Sequence, residues 1–216
     1  MIVDVAENLY ALDVAVIRHG RTALNERRCY TGEVDEDLSE TGREDVRKAK
    51  AYTPFAGISR VYVTNKKRSQ QTARILYPEA EQICVPELRE LGFGDYEGLD
   101  YEHLKERADY CAWLDGGGLD APPNGESRSD FLKRIRKGFL YVLYSEKDSR
   151  EAVIAAHGGT VMAIVSMYTD KEFYDCMVEP GESCLIHVDF KIEDNGDVGI
   201  SHFRLCDRLG TGSADR

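Results

Sequence analysis

The chain has 216 residues, 42% of them hydrophobic and 9% aromatic. That is enough for one well-buried core and short for two independent domains, so a single domain over residues 1–216 is expected. The formal net charge of −11 excludes a dominant basic surface, which argues against a general nucleic-acid or anionic-membrane binder.

The N-terminus carries Asp4 and Glu7, lacks a basic region and a long apolar core, and does not read as a signal peptide. Leu12 to Ile17 is apolar and β-branched and reads as a central strand. Ser39 or Thr41 caps a helix over Arg43 to Tyr52. Ile58 to Thr64 is a strand, Arg68 to Tyr77 a helix stopped by Pro78, and Ile83 to Val85 a short strand. Leu99 to Leu114 is mixed and helical, and is broken by Gly116-Gly117-Gly118 and Pro122-Pro123-Asn124-Gly125. A lid-like insertion is therefore placed around 96–130.

Phe131, Ile135, Phe139 and Val142 fall at helical spacing, with Lys133, Arg134, Arg136 and Lys137 as the wet face of that helix. Ala152 to Ala156 is a strand and Thr160 to Tyr168 an apolar helix. Cys184 to Val188 and Val198 to Phe203 are final strands joined by Asp194-Asn195-Gly196-Asp197. Strands alternating with helices predict an α/β fold of three layers. Its central sheet is mostly parallel, with helices on both faces and an antiparallel strand at an edge. No apolar run approaches membrane-spanning length. The cysteines (29, 84, 111, 176, 184 and 206) form no CxxC pair and read as free thiols in a reducing cytosol, which makes a cytoplasmic location the expectation.

Two stretches carry the chemistry: Val16-Ile17-Arg18-His19-Gly20 and Ala155-Ala156-His157-Gly158-Gly159. Each is an apolar run ending in histidine and glycine, which puts an imidazole at the carboxyl edge of a sheet, where open α/β sheets bind ligands. A phosphomonoester needs donors matched to tetrahedral oxygens, and arginine supplies a permanently charged fork. Arg18 adjoins His19, and Arg68 opens a helix after a strand. Gly158 and Gly159 open a helix whose first N–H groups favour an anion.

A histidine nucleophile needs one nitrogen unprotonated and the other held by an acceptor, for which a backbone carbonyl at Gly20 serves. The leaving alkoxide needs a proton from a carboxylic acid, and Glu90 in its glycine-rich segment is the candidate. Each residue alone has a plainer reading: His19 and His157 as structural histidines, Arg68 as a solvated helix residue, Glu90 as a surface pair with Arg89. His103, His187 and His202 lack the strand–glycine setting and read as structural or solvent-facing. Tyr96, Tyr101, Tyr110 and Trp113 either stack on an aromatic leaving group or form the core of the lid.

Taken together, the ordered motifs resemble the histidine phosphatase superfamily, also called phosphoglycerate-mutase-like, over roughly Val14 to Val165. Arg18-His19-Gly20-Arg21-Thr22 with Asn25 is similar to its RHG-x-T-x-x-N signature. Tyr30-Thr31-Gly32 and Asp37-Leu38-Ser39-Glu40-Thr41-Gly42 resemble its glycine-containing loop and the element after it. Thr64 to Ala73 resembles its S-x-L-x-R-A-x-Q-T-A segment, and Glu90 to Gly98 its acid loop. Pro122 to Ser127 is close to P-x-G-E-S, and His157-Gly158-Gly159 matches its second histidine.

The resemblance implies that His19 is phosphorylated and that Glu90 is the proton donor. Arg18, Arg68 and His157 would clamp the phosphoryl group, with Asn25, Thr31, Gly32 and Gly158 around it. It implies a small-molecule phosphomonoester as substrate, inorganic phosphate as product, and no metal or organic cofactor. Three positions depart from the pattern: Lys66 for a usual leucine, Ser69 for alanine, and Ala156 for a serine. None removes a charged catalytic group. The mutase branch usually carries L-N-E-R-x-Y-G followed by L-x-G-L-N-K, whereas Leu88 to Gly98 here is phosphatase-like. The expected activity is hydrolysis of a small phosphorylated metabolite, with alpha-ribazole phosphate as a candidate. A phosphoglycerate mutase, or a protein phosphohistidine phosphatase or phosphate-binding regulator, is the alternative.

Overall fold

In a computed structural model that describes residues 9–209, the run 12–17 forms the middle of β1 (Leu9–Arg18). The reading of Asp4 and Glu7 lies outside the described residues. The elements after β1 are α1 (Ala23–Glu26), α2 (Glu40–Ala49), β2 (Arg60–Val63), α3 (Lys67–Leu76), β3 (Glu81–Cys84), α4 (Tyr101–Leu104) and α5 (Ala108–Asp115). The long α6 (Arg128–Ser145), β4 (Glu151–Ala156), α7 (Gly158–Tyr168), β5 (Ser183–Ile192) and β6 (Val198–Leu209) follow.

The strands form one sheet in the order β3-β2-β4-β1-β5-β6. The first four are parallel, and β5 and β6 add an antiparallel hairpin at one edge. This is the three-layer, mostly parallel arrangement expected.

The period-2 alternation of a strand sends successive side chains to opposite faces. Ala15, Ile17, Val61, Val63, Val153 and Ala155 are buried on the side that packs Val46 of α2 and Ala73 and Leu76 of α3. Leu12, Val14, Val16, Tyr62, Ala152 and Ile154 are buried against Phe131, Ile135, Phe139 and Val142 of α6 and the apolar side chains of α7. With both faces covered, the central strands read as continuous apolar runs.

Several boundaries moved. Ser39 is the cap that decides where α2 begins, its Oγ accepting the Gly42 N–H at 3.0 Å. The helix starts at Glu40 and tightens into a 3-10 turn over Lys50–Tyr52. The mixed segment 99–114 splits into α4 and α5. These two short helices bury an aromatic cluster of their own: Tyr96, Leu104, Tyr110 and Trp113, with Tyr30, Phe93 and Leu99 packed against it. Tyr96 and Tyr110 thus belong to this secondary core, and Tyr101 is exposed. No helix among the described residues is long and apolar enough to cross a membrane.

Candidate active site

Strand register brings the two histidines together. Arg18 pairs with Ala156 across β1 and β4, and the His19 N–H donates to the Ala156 carbonyl at 2.9 Å. The residues that follow these strands, His19 and His157, are therefore neighbours. Their ring centroids are 5.1 Å apart, edge to face. On the other side of β4, Val63 pairs with Ala155, so Thr64 reaches His157, its Oγ1 lying 2.9 Å from Nε2. The chain then turns into α3, whose first turn carries Arg68 under the same edge.

His19 is almost fully buried. Its Nδ1 lies 2.7 Å from the Gly20 carbonyl, which can only accept, so Nδ1 carries the proton and Nε2 the lone pair. The Arg68 Nε–H donates to that lone pair at 3.2 Å. Burial, and after it the charge of Arg68, hold His19 well below the ordinary histidine pKa. The Gly20 carbonyl opposes this in part, and Arg18 adds to it. Burial, Arg68 and the neighbouring His19 lower His157 likewise. Its Nδ1 is buried without a hydrogen-bond partner.

Arg68 is fully buried, and among the described residues no carboxylate forms an ion pair with it, although Glu90 and Asp35 act on its charge from farther away. Its Nη1 donates to the Val34 carbonyl at 2.6 Å and its Nη2 to the Gly32 carbonyl at 2.8 Å, which fixes the guanidinium plane under His19. Gly32 therefore stands one layer back, as an acceptor for Arg68. A Cβ there would meet the Leu91 carbonyl oxygen at 2.1 Å, so the close approach of these loops requires glycine. Thr31 lines the cavity, with its hydroxyl donated to the Cys29 carbonyl.

Arg18 continues the Val14–Val16 row at the end of β1 and donates from Nη1 to the Val178 carbonyl at 2.6 Å, leaving a buried Nε with no acceptor. Asn25 also lines the cavity. Its Oδ1 accepts the Thr22 N–H in the capping box of α1, so its NH2 end is what remains for an anion.

Glu90 occupies the place that the sequence suggested for the ligand. Its carboxylate accepts the Leu91 N–H at 2.9 Å and the Gly159 N–H at 3.0 Å, which puts it at the N-terminus of α7. The Gly159 amide is thus spent on the acid. Gly158 abuts Arg18, whose Nε would lie 3.3 Å from a Cβ at that position.

Arg134 does not belong to the wet face of α6. It is largely buried, forms a 2.5 Å ion pair with Glu126, and donates to the carbonyls of Glu87, Arg89 and Glu90. Its spacing matched the solvent side of the helix; the acid loop laid over that side buries it. Glu97 ties the acid loop to the loop below, its carboxylate accepting the N–H groups of Glu33, Val34 and Phe93. Position inside the Glu90–Gly98 motif was the only sequence signal for Glu97.

Two of the departures also acquire partners. The buried Lys66 pairs with Glu33 at 2.8 Å. Ser69 Oγ accepts the Thr64 N–H and donates to the Ala155 carbonyl, clasping β2, β4 and α3.

His19, Arg18 and Glu90 open on a cavity of about 960 Å³ whose other walls include Tyr30, Phe93 and Trp113. Arg68 and His157 lie beneath its floor, with no exposed surface of their own. The arrangement offers a neutral imidazole, the Arg18 guanidinium and a carboxyl group facing one space, with the Arg68 guanidinium and the His157 ring directly beneath it.

The family model of the histidine phosphatase superfamily (branch 1) matches residues 14–191. Similar proteins include an adenosylcobalamin/alpha-ribazole phosphatase of Salmonella typhimurium, 27% identical over 155 residues that cover 70% of this chain and 76% of that protein. A 2,3-bisphosphoglycerate-dependent phosphoglycerate mutase of Bartonella henselae is 29% identical over 163 residues, 70% of this chain and 79% of that one. The crystal structure of a putative alpha-ribazole-5'-P phosphatase from Escherichia coli K-12 superimposes with a TM-score of 0.74 at 22% identity, covering 91% of this chain and 96% of that chain.

Proposed function

The chain belongs to the histidine phosphatase superfamily and is a phosphatase, and we propose that it hydrolyses a small phosphomonoester through a phosphohistidine on Nε2 of His19. The observation that carries this reading is the pair of contacts on that ring. Nδ1–H is held by the Gly20 carbonyl, and the Nε2 lone pair, which accepts the Arg68 Nε–H, lies on the floor of the cavity that Glu90 also lines.

In the first step Nε2 attacks phosphorus, the ester P–O bond breaks, and the leaving oxygen takes a proton from the Glu90 carboxylic acid. In the second step water attacks the phosphorus. Glu90, now a carboxylate, takes the water proton, and the P–N bond breaks to release phosphate and restore the lone pair. Phosphoryl transfer asks mainly for alignment and charge stabilisation. Arg18 and Arg68 supply the charge, and His157 supplies a ring nitrogen with no other hydrogen-bond partner.

A planar, aromatic leaving group suits the Tyr30, Phe93 and Trp113 wall. Alpha-ribazole phosphate has such a group, and the Salmonella relative bears that name. The comparable identity to a phosphoglycerate mutase supports a second reading, in which the phosphoryl group returns to substrate.

The test is phosphate release from alpha-ribazole phosphate, sugar phosphates, nucleotides and phosphoglycerates, for wild type and His19→Ala. Release from one class, abolished in the variant, is the expected result. Interconversion of phosphoglycerates faster than phosphate release would install the mutase reading. Undiminished release by His19→Ala would end both.

A further inference from the structure

The first residue of α6, Arg128, is out of place by every local criterion. It is the first helical residue of an 18-residue helix, where the macrodipole opposes a cation. It is only 8% exposed, and among the described residues no carboxylate forms an ion pair with it. Asp130, the acid of that helix turn, is engaged with Ser127 and Lys133. Burying an unpaired guanidinium is costly.

The protein offsets that cost only in part. The guanidinium stacks 3.9 Å from the Phe173 ring centroid and 4.9 Å from that of Tyr174. Its Nη2 donates to the carbonyls of Gly117 and Gly118 and to the Tyr174 hydroxyl. Nε has no acceptor, and the charge has no counter-ion.

The surroundings are built around this group. Gly118 has φ of +65°, and a Cβ on it would lie 3.0 Å from the Tyr174 hydroxyl, 3.1 Å from Trp113 and 3.3 Å from Arg128 Nη2. A side chain there would force each of the three to give way by a few tenths of an ångström, at a φ that favours glycine. All of them line the same cavity as His19. The Tyr174 hydroxyl accepts from Arg128, so its own proton remains available to a second acceptor.

We propose that Arg128 and Tyr174 form a subsite for a carboxylate on the substrate, distal to the phosphoryl group. A carboxylate there would supply the missing counter-charge, accept from both residues, and sit at the positive end of α6. The proposal deepens the phosphatase reading and rests on it, because it takes the phosphoryl end to lie at His19. It narrows the substrate to a phosphomonoester that also carries a carboxylate, which alpha-ribazole phosphate lacks, with an apolar or aromatic body along the Trp113 wall.

The two ideas fail separately. Equilibrium binding of phenylphosphonate and of its 3- and 4-carboxy derivatives reads the subsite without turnover. Wild type is expected to bind the better carboxylated compound at least about tenfold more tightly. Arg128→Gln should bring that ratio to about one, and Tyr174→Phe should lower it in part. Arg128→Lys, which keeps the charge, should retain a preference, and if Arg128→Gln does not fold, Tyr174→Phe serves in its place, an unchanged ratio there overturning the subsite. A wild-type ratio of one or less, or an unchanged ratio in Arg128→Gln, overturns the subsite. In that case Arg128 only braces the 117–118 turn, and its replacement lowers thermal stability alone. Failure to release phosphate from the corresponding phenyl phosphates, with no label on His19, would instead count against the phosphatase reading.

Discussion

Replacing Gly159 by alanine should separate the acid from the rest of the site. A Cβ at this position would stand 2.0 Å from Glu90 Oε1 and 3.3 Å from Phe131. The first distance is impossible, so the carboxylate must leave. The atom displaced is the far end of a flexible side chain, and Gly159 sits in helical conformation in the first turn of α7. Alanine there gains up to about 1 kcal/mol of helix propensity over glycine. The folded state should therefore survive while the proton donor is lost.

A positioned general acid contributes roughly 10²–10⁴ in rate, or about 3–5 kcal/mol of barrier. That loss applies only where the leaving group needs a proton. For Gly159→Ala, kcat/KM on an alkyl phosphate should fall by about 10² or more. On 4-nitrophenyl phosphate, whose phenolate departs without protonation, the fall should be smaller by at least about tenfold. The assay is kcat/KM on both esters, with a thermal melt beside it. Equal losses on both, or full activity on the alkyl ester, would refute the assignment of the proton-donor role to Glu90.

Other consequences can be measured directly. The folded-state pKa values of His19 and His157 lie below the ordinary value near 6.5, so below that pH the unfolded chain binds protons that the folded one refuses. Their neutral forms impose no penalty above pH 6.5. As pH falls from there towards the depressed folded values, stability should drop by up to about 1.4 kcal/mol per pH unit for each histidine. Melts between pH 7.5 and 4.5 should show His157→Asn to be less acid-sensitive than wild type, and identical slopes would contradict this. Arg134→Met leaves Glu126 unpaired and three acid-loop carbonyls without their donor, and should cost about 3 kcal/mol in denaturant melts. Its kcat on alkyl phosphates should fall further than its KM rises. Arg134→Lys should recover charge without the fork, restoring part of the stability and less of the rate.

How much could be read in advance differed from residue to residue. Leu12–Ile17 and Ala152–Ala156 declared themselves buried parallel strands because both faces are apolar, and Phe131, Ile135, Phe139 and Val142 declared an amphipathic helix by their spacing. His19, His157, Arg68 and Glu90 stood out because each follows a strand, and a strand end in such a sheet is an edge site. Cap chemistry was local enough to narrow the start of α2 to Ser39 or Thr41, and side-chain geometry chose Ser39.

Other features depended on groups far apart in the chain. That His19 and His157 touch follows from the Arg18–Ala156 register, a pairing across 138 positions that no local pattern encodes. Arg134 looked solvated because helical spacing gives a direction and says nothing of what lies over it; the Glu87–Glu90 backbone buries it. The amides at the start of α7 could have held phosphate or carboxylate, and the path of the acid loop gave Gly159 to Glu90. No sequence pattern singled out Arg128, and its burial without a counter-ion appears only when Gly118, Phe173 and Tyr174 are folded around it. Local sequence set the periodicity, the caps and the strand-end histidines, because those depend on neighbours within a turn or a strand. Register and loop packing set the partners of each charge, because desolvation depends on everything that folds over it.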